Sequence, residues 1–159
     1  MVKRYNKVLV DIITPNDERL FVQDSKTKEW GVVTGGCKGT FQNFELVGER
    51  YTEFMEKVLQ NAIRELKEEI NISFDKHRYI FTKKQYTFYT PNEFVEKTNL
   101  YINKKQFIYY IYTIYITEKE QKDIFKKFIK NEEIIDIKFV QKNSNIENKW
   151  ELLNHLNIQ

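Results

Sequence analysis

The segment Arg64-Glu65-Leu66-Lys67-Glu68-Glu69-Ile70-Asn71-Ile72 is where this sequence concentrates groups able to do chemistry. A helix advances about 100° per residue. With Phe54 set at zero, Val58, Leu59, Ala62, Ile63, Leu66 and Ile70 fill an apolar arc of about 180°. Glu65 falls at about 20° and Glu69 at about 60°, inside that arc, and Glu68 lies just off its edge. Two carboxylates four residues apart therefore point partly toward the core.

Without a partner this arrangement is unfavourable. Like charges at i and i+4 repel, and a half-buried carboxylate loses hydration. A divalent cation removes both objections. Mg²⁺ prefers hard oxygen ligands, keeps several waters, and is usually held by a few carboxylates together with substrate phosphates. The competing reading is a solvated charged face balanced by Arg64 and Lys67. Lys67 points away from both Glu65 and Glu69 on the same wheel, so that reading fits poorly.

Elements that could position such a cluster are legible along the chain. Residues 7–13 and 20–23 read as strands separated by the turn-rich Thr14-Pro15-Asn16-Asp17. A short strand over 30–34 runs into Gly35-Gly36. Thr52 is placed to cap a helix that continues to about Ile70, with Glu53 in its first turn. Residues 79–89 and 106–116 are rich in β-branched and aromatic side chains. The second is apolar on both faces, as a central strand would be. Residues 118–130 read as an amphipathic helix, 134–140 as a strand and 146–156 as a closing helix. This order predicts an α/β (α+β) fold, a mixed sheet sandwiched between helices. Residues 1–159 form one domain, without repeats or linker-like stretches.

Composition narrows the classes further. The chain has 159 residues, 41% of them hydrophobic and 31% charged, which predicts a folded domain with its own core. No apolar run approaches the roughly 18 residues that span a bilayer, and no signal-peptide pattern opens the chain. The single cysteine, Cys37, fits a reducing compartment, so the expected location is cytoplasmic. The net charge of +3 tolerates polyanionic ligands without demanding nucleic acid. His77 and His155 show no zinc spacing with Cys37. There is neither a G-x-x-x-x-G-K-[ST] loop nor a G-x-S-x-G elbow. Gly35-Gly36-Cys37-Lys38-Gly39 is only superficially similar to a phosphate cradle, since it lacks the Lys-Ser ending.

Taken together, Glu56, Arg64-Glu65, Leu66, Glu68-Glu69 and Ile72 resemble the Nudix box, G-x5-E-x7-R-E-U-x-E-E-x-G-U, where U is bulky and aliphatic. Upstream, Trp30 to Gly36 is similar to the family's strand ending in a Gly-Gly pair. Three positions depart from the pattern. Arg50 stands where the box has glycine, residues 39–51 lengthen the loop before the helix, and Asn71 replaces the late glycine. Asparagine is the next best residue for a left-handed helix end. Glu56 falls on the opposite side of a regular helix from Glu65 and Glu69. Either the helix starts later than Thr52 or the role of Glu56 is altered.

The resemblance implies an enzyme that hydrolyses a phosphoanhydride bond with Mg²⁺, for which Mn²⁺ can substitute. Glu65 and Glu69 would ligate the metal, Glu68 would do so directly or through water, and the backbone carbonyl of Gly35 would add an oxygen. Arg64 would orient the glutamates, and Glu56 would serve a structural contact. The general base would be Glu68, or Glu132 or Glu133 ahead of the strand at residue 134. Lys38 is the candidate substrate-binding side chain. The leading substrate is a nucleoside diphosphate linked to another moiety. The alternatives are the capped 5′ end of an RNA, as for an mRNA-decapping member, and, in another class, a catalytically silent nucleotide-binding module. The sequence leaves the oligomeric state open.

Overall fold

Val8, Val10 and Ile12 alternate with Leu9, Asp11 and Ile13, and all are buried, so the strand they form must be covered on both faces. The computed structural model, which describes residues 3–36, 49–73, 82–89 and 105–155, shows how. Strand β1 (Lys3–Ile13) pairs in parallel with β6 (Lys105–Tyr115), and β6 pairs antiparallel with β5 (Thr82–Tyr89). On its other side β1 changes partner along its length. Ile13 meets Arg19 of β2 (Glu18–Asp24), whereas Lys7 to Val10 pair with β4 (Val33–Gly36). β2 carries β3 (Trp30–Gly31) and β7 (Ile134–Gln141). The sheet thus divides beside β1, and the Asp11–Arg19 ion pair at 2.7 Å, buried on both sides, ties β1 to β2 where they meet.

Helices cover both faces. Val8, Val10 and Ile12 pack with Val58, Ala62, Leu66 and Ile70 of α1 (Glu49–Ile70) and with Ile124 of α2 (Glu118–Lys127). Leu9, Phe21, Tyr109 and Ile111 pack on the opposite face against Leu152 and Leu153 of α3 (Leu152–His155). A mixed sheet between helices is the architecture the sequence predicts. In β7, Ile134 and Ile137 face one core although they are three apart. The register shift between Gln23 and Asp24 accounts for this by letting β7 carry an extra residue. Among the described residues no helix is long and apolar enough to cross a membrane.

Several boundaries differ from the sequence reading, each for a local reason. The expected strand over 30–34 is two strands, because Trp30 and Gly31 pair with β2 while Val33 onward pairs with β1, and Val32 crosses between them. α1 begins at Glu49, so Thr52 lies inside it rather than capping it. α2 stops at Lys127, where Phe128 turns extended. The Lys127 carbonyl accepts a hydrogen bond from Asn71 Nδ2 at 2.9 Å. The closing helix shrinks to Leu152–His155 within the described chain. The backbone of Asn148 and Trp150 is used to bond Trp30, and Asn148 sits at φ 58°. The reading of 39–51 as a long loop falls partly outside the described residues.

Asn71 ends α1 at φ 60°, with its N–H bonded to the Lys67 carbonyl at 3.1 Å. A β-branched side chain there loses both the tolerated left-handed backbone and the bond to Lys127. Asn71→Val is therefore expected to cost about 2–3 kcal/mol in denaturant unfolding, and Asn71→Gly about 1 kcal/mol or less. Equal losses for the two would show that the backbone conformation does not matter.

Candidate active site

α1 brings its last turns against β4. Glu65 and Glu69 lie on the helix face that carries Ala62, Leu66 and Ile70, and are only 6% and 3% exposed. Glu65 rests directly on the Cα of Gly35, since a Cβ added there would overlap its carboxylate. Glycine is needed at 35 to let the carboxylate in. The Thr34 N–H donates to Glu69 Oε2 at 3.2 Å. From the other side, the turn before β7 presents Glu133, which is exposed. One carboxylate oxygen from each of Glu65, Glu69 and Glu133 lies within 4.8 Å of the others. Helix, glycine strand and distant turn thereby converge on one point.

Arg64 fixes the surroundings of this trio. Its guanidinium pairs with Glu65 Oε1 at 2.9 Å and with both oxygens of Glu68 at 3.0 Å. It also donates to the Gly36 carbonyl at 3.3 Å and to Asn61 Oδ1 at 3.0 Å, locking α1 to β4. Glu68 therefore sits one turn along, half-exposed and engaged by Arg64, outside the close trio. Glu56 is exposed on the far side of α1. Because the helix starts at Glu49, ahead of Thr52, Glu56 stands on the face turned away from Glu65 and Glu69. Glu132 lines the same cavity as Glu133, and its carbonyl accepts a hydrogen bond from the Ser25 hydroxyl. Gly35 also lines that cavity. Lys38, the candidate substrate-binding residue, lies outside the described residues.

Asn131 escaped the sequence reading. Its side-chain amide donates to the Glu69 carbonyl and the Ile129 carbonyl, each at 3.1 Å. Its oxygen accepts from Glu133 N at 3.0 Å and Ile134 N at 2.9 Å. One side chain thus staples the turn carrying Glu133 to the end of α1. The available signal was an asparagine opening the turn before a strand, a residue type that bonds its own backbone two residues on. The cavity of about 720 Å³ beside the trio runs past Thr34 and Gly35 to Lys7, Tyr109 and Trp150. That volume suits a nucleotide-sized ligand.

Electrostatics mark the pair as incomplete on its own. Burial pushes the Glu69 carboxyl up to about 10, with the charges of Glu65 and Glu133 adding to the rise and the Thr34 N–H opposing it. Burial also raises Glu65, against the pull of Arg64. With no cation, the pair keeps a proton. Three carboxylates on rigid elements, two of them buried, are the donor set that suits a hard divalent cation.

A sign follows for pH. The folded chain holds the Glu69 proton that the unfolded chain releases above about pH 4.5. The resulting stability is full below about pH 4.5 and falls as pH rises toward about 10, by up to about 1.4 kcal/mol per unit. Denaturant midpoints of the metal-free protein should fall across this window. Mg²⁺ should flatten the decline by displacing the proton, and a metal-free profile without slope would contradict the burial argument. Asn131→Ala should weaken Mn²⁺ binding by roughly ten- to a hundredfold in a calorimetric titration, because it frees the turn that holds Glu133. Unchanged binding would show that the turn needs no staple.

Comparison with known proteins places this geometry. The NUDIX domain profile matches residues 5–155. No curated protein matches the chain. Among solved structures, the Escherichia coli dihydroneopterin triphosphate pyrophosphohydrolase shares the fold with TM-score 0.56 at 14% identity, over 99% of this chain and 94% of that one. The MutT protein from Methanosarcina mazei Go1 gives TM-score 0.56 at 14% identity, over 99% and 98%. With the profile spanning nearly the whole described chain, and the helix carboxylates standing against the glycine strand, this protein belongs to the Nudix family of hydrolases that act on phosphorus-containing acid anhydrides.

Proposed function

We propose that the chain is a Mg²⁺-dependent pyrophosphohydrolase acting on a nucleoside diphosphate linked to another moiety. The observation that carries this reading is the convergence of Glu65, Glu69 and Glu133 at the mouth of a nucleotide-sized cavity. These three carboxylates would hold the cation with one oxygen each, which leaves the second oxygen of the exposed Glu133 available for a proton. A divalent ion held there supplies charge neutralisation on the diphosphate oxygens and lowers the pKa of water.

The chain's own residues do the rest. Glu133 is exposed, in contrast to the buried pair, and stands at the cavity mouth where water has access. It is placed to take the proton as the oxygen of water bonds to phosphorus. The bridging P–O bond then breaks, and its electron pair leaves with the departing phosphate. Arg64 holds Glu65 and Glu68 in place rather than meeting substrate, since its donors are already used by Glu65, Glu68, Gly36 and Asn61. A lone cysteine, Cys37, agrees with a reducing cytoplasmic setting.

Glu69→Gln should lower kcat on the order of a thousandfold, or about 4 kcal/mol of transition-state stabilisation. The fold should persist, because the neutral amide removes a buried like-charge contact. Glu133→Gln should cost roughly a hundredfold or more in kcat, as for a lost general base, and flatten the acid limb of the pH–rate profile. The substrate panel should contain a nucleoside triphosphate, a nucleotide sugar, a dinucleoside polyphosphate, a diphosphoinositol phosphate and a capped RNA, each with Mg²⁺ or Mn²⁺. Cleavage of the capped RNA alone would turn the reading to decapping. Absence of turnover on every member would leave a nucleotide-binding module.

A further inference from the structure

Lys7 sits in β1 opposite Gly36 on one side and Tyr109 on the other. Side chains alternate along a strand, so Lys7 shares the face of Leu9 and points away from the α1 side on which Glu65 meets Gly35. Gly36 leaves room for it, since an added Cβ would stand 3.7 Å from Lys7 Nζ. Lys7 nevertheless lines the same cavity as Thr34, Gly35, Glu69 and Glu133. The cavity lies between β4 and the part of the sheet that has left β1, with Thr34 and Gly35 on one wall and Val22, Asp24 and Gly31 on the other, and it reaches from Glu69 and Glu133 to Lys7.

Lys7 is half-buried, and among the described residues it makes no ion pair or hydrogen bond. Glu69 and Glu133 belong to the trio, and Asp24, Glu29 and Glu132 line the same cavity without pairing with Lys7. Asp24, for example, caps its own turn by accepting from the N–H groups of Lys26 and Thr27 at 2.8 Å. A half-buried ammonium without a protein anion suits an anionic ligand. Around it, Val22, Val32, Tyr109 and Trp150 make the wall apolar, which suits the uncharged remainder of a nucleotide-like ligand.

We propose that Lys7 binds a substrate phosphate other than the one that meets the acidic trio, so that the site selects substrates whose phosphate chain passes the edge of β4. The inference rests on the phosphoanhydride reading above and adds the residue that recognises the second phosphate. Lysine serves as a point charge here, taking a phosphate oxygen without a fixed fork geometry. The neighbouring ladder position, Val8 with Gly35, carries the Glu65 contact. The ammonium and the Glu65 carboxylate stand on opposite faces of β4, so a ligand that meets both must carry more than one phosphate around that strand.

The test is calorimetric binding of ADP in the presence of Mg²⁺, with Mn²⁺ binding measured separately without nucleotide. Lys7→Gln should weaken ADP binding by roughly ten- to a hundredfold, the loss of one charge-assisted contact. Mn²⁺ binding and the melting temperature should stay unchanged, and Lys7→Arg should recover part of the affinity. Lys142→Gln removes the same charge from the far end of β1, where Lys142 pairs with Asp17, and should leave ADP binding intact. In steady state, Lys7→Gln should raise KM more than it lowers kcat. Equal ADP binding by wild type and Lys7→Gln, absence of binding by the wild type, or an equal loss in Lys142→Gln would each overturn the assignment. Failure of the wild type to hydrolyse any phosphoanhydride would instead defeat the proposed function, while the binding comparison would still decide the role of Lys7.

Discussion

Two carboxylates buried against one another set the terms for this fold. Glu65 and Glu69 each present an oxygen within 4.8 Å of the other and of Glu133. Two full charges at that separation near a protein surface repel by roughly 3–4 kcal/mol. Domains of this size are stable by only about 5–15 kcal/mol. The surrounding structure reads as a set of devices that tolerate this repulsion. Arg64 pairs with Glu65, the Thr34 N–H binds Glu69, and a retained proton relieves the remainder in the absence of a cation. Gly35 is part of the same solution, because any side chain there would push the Glu65 carboxylate out of place.

Holding such a pair requires rigidity on three sides. α1 supplies one side through Val58, Ala62, Leu66 and Ile70, which seat it on β1 and fix which face its glutamates occupy. β4 supplies the second through its pairing with β1, and Arg64 bonds that strand back to the helix. The third side is the turn before β7, distant in sequence and held by Asn131. Ser25 reinforces it, since its N–H donates to the Glu133 carbonyl at 2.8 Å and its hydroxyl to that of Glu132. The exposed carboxylate of the trio is thus carried by backbone that is tightly bonded. That carboxylate therefore reaches water without losing position.

The parts of this design that are local in sequence were legible there. The inward placement of Glu65 and Glu69 follows from helical periodicity alone, and the left-handed end at Asn71 follows from residue type. The two-sided burial of β6 could be read from its apolar residues on alternating faces. What was not legible depends on partners. Residues 30–36 read as one strand because nothing in them reveals that Gly31 pairs with Val22 and Gly35 with Val8. Thr52 looked like a cap because Ser/Thr ahead of an apolar periodicity usually is one, whereas the helix extends a turn further back. Glu133 could only be one of two candidates, because its selection rests on Asn131 and on a contact with a helix about sixty residues earlier. Lys7 only opened the expected strand over 7–13, since its surroundings are set by the ladder with Gly36 and Tyr109.

The division of the sheet beside β1 links these observations to the low identity with structures of the same fold. Apolar positions in the two cores need only suitable size and character, so they can drift to 14% identity while the architecture persists. The gap is different. It exists because β1 pairs with β2 at Ile13 and with β4 from Lys7 to Val10, so β2 and β4 diverge from the same strand. At the first junction the buried Asp11–Arg19 pair joins β1 to β2; at the second, Gly36 and Gly35 pair with Lys7 and Val8 and leave room beside β4 for the Lys7 and Glu65 side chains. The two glycines thus let carboxylates stand on one side of β4 and an ammonium on the other, along one cavity. The proposed polyphosphate substrate would meet positive charge at both places. Side chains along that cavity, rather than the fold that frames it, determine which one is accepted.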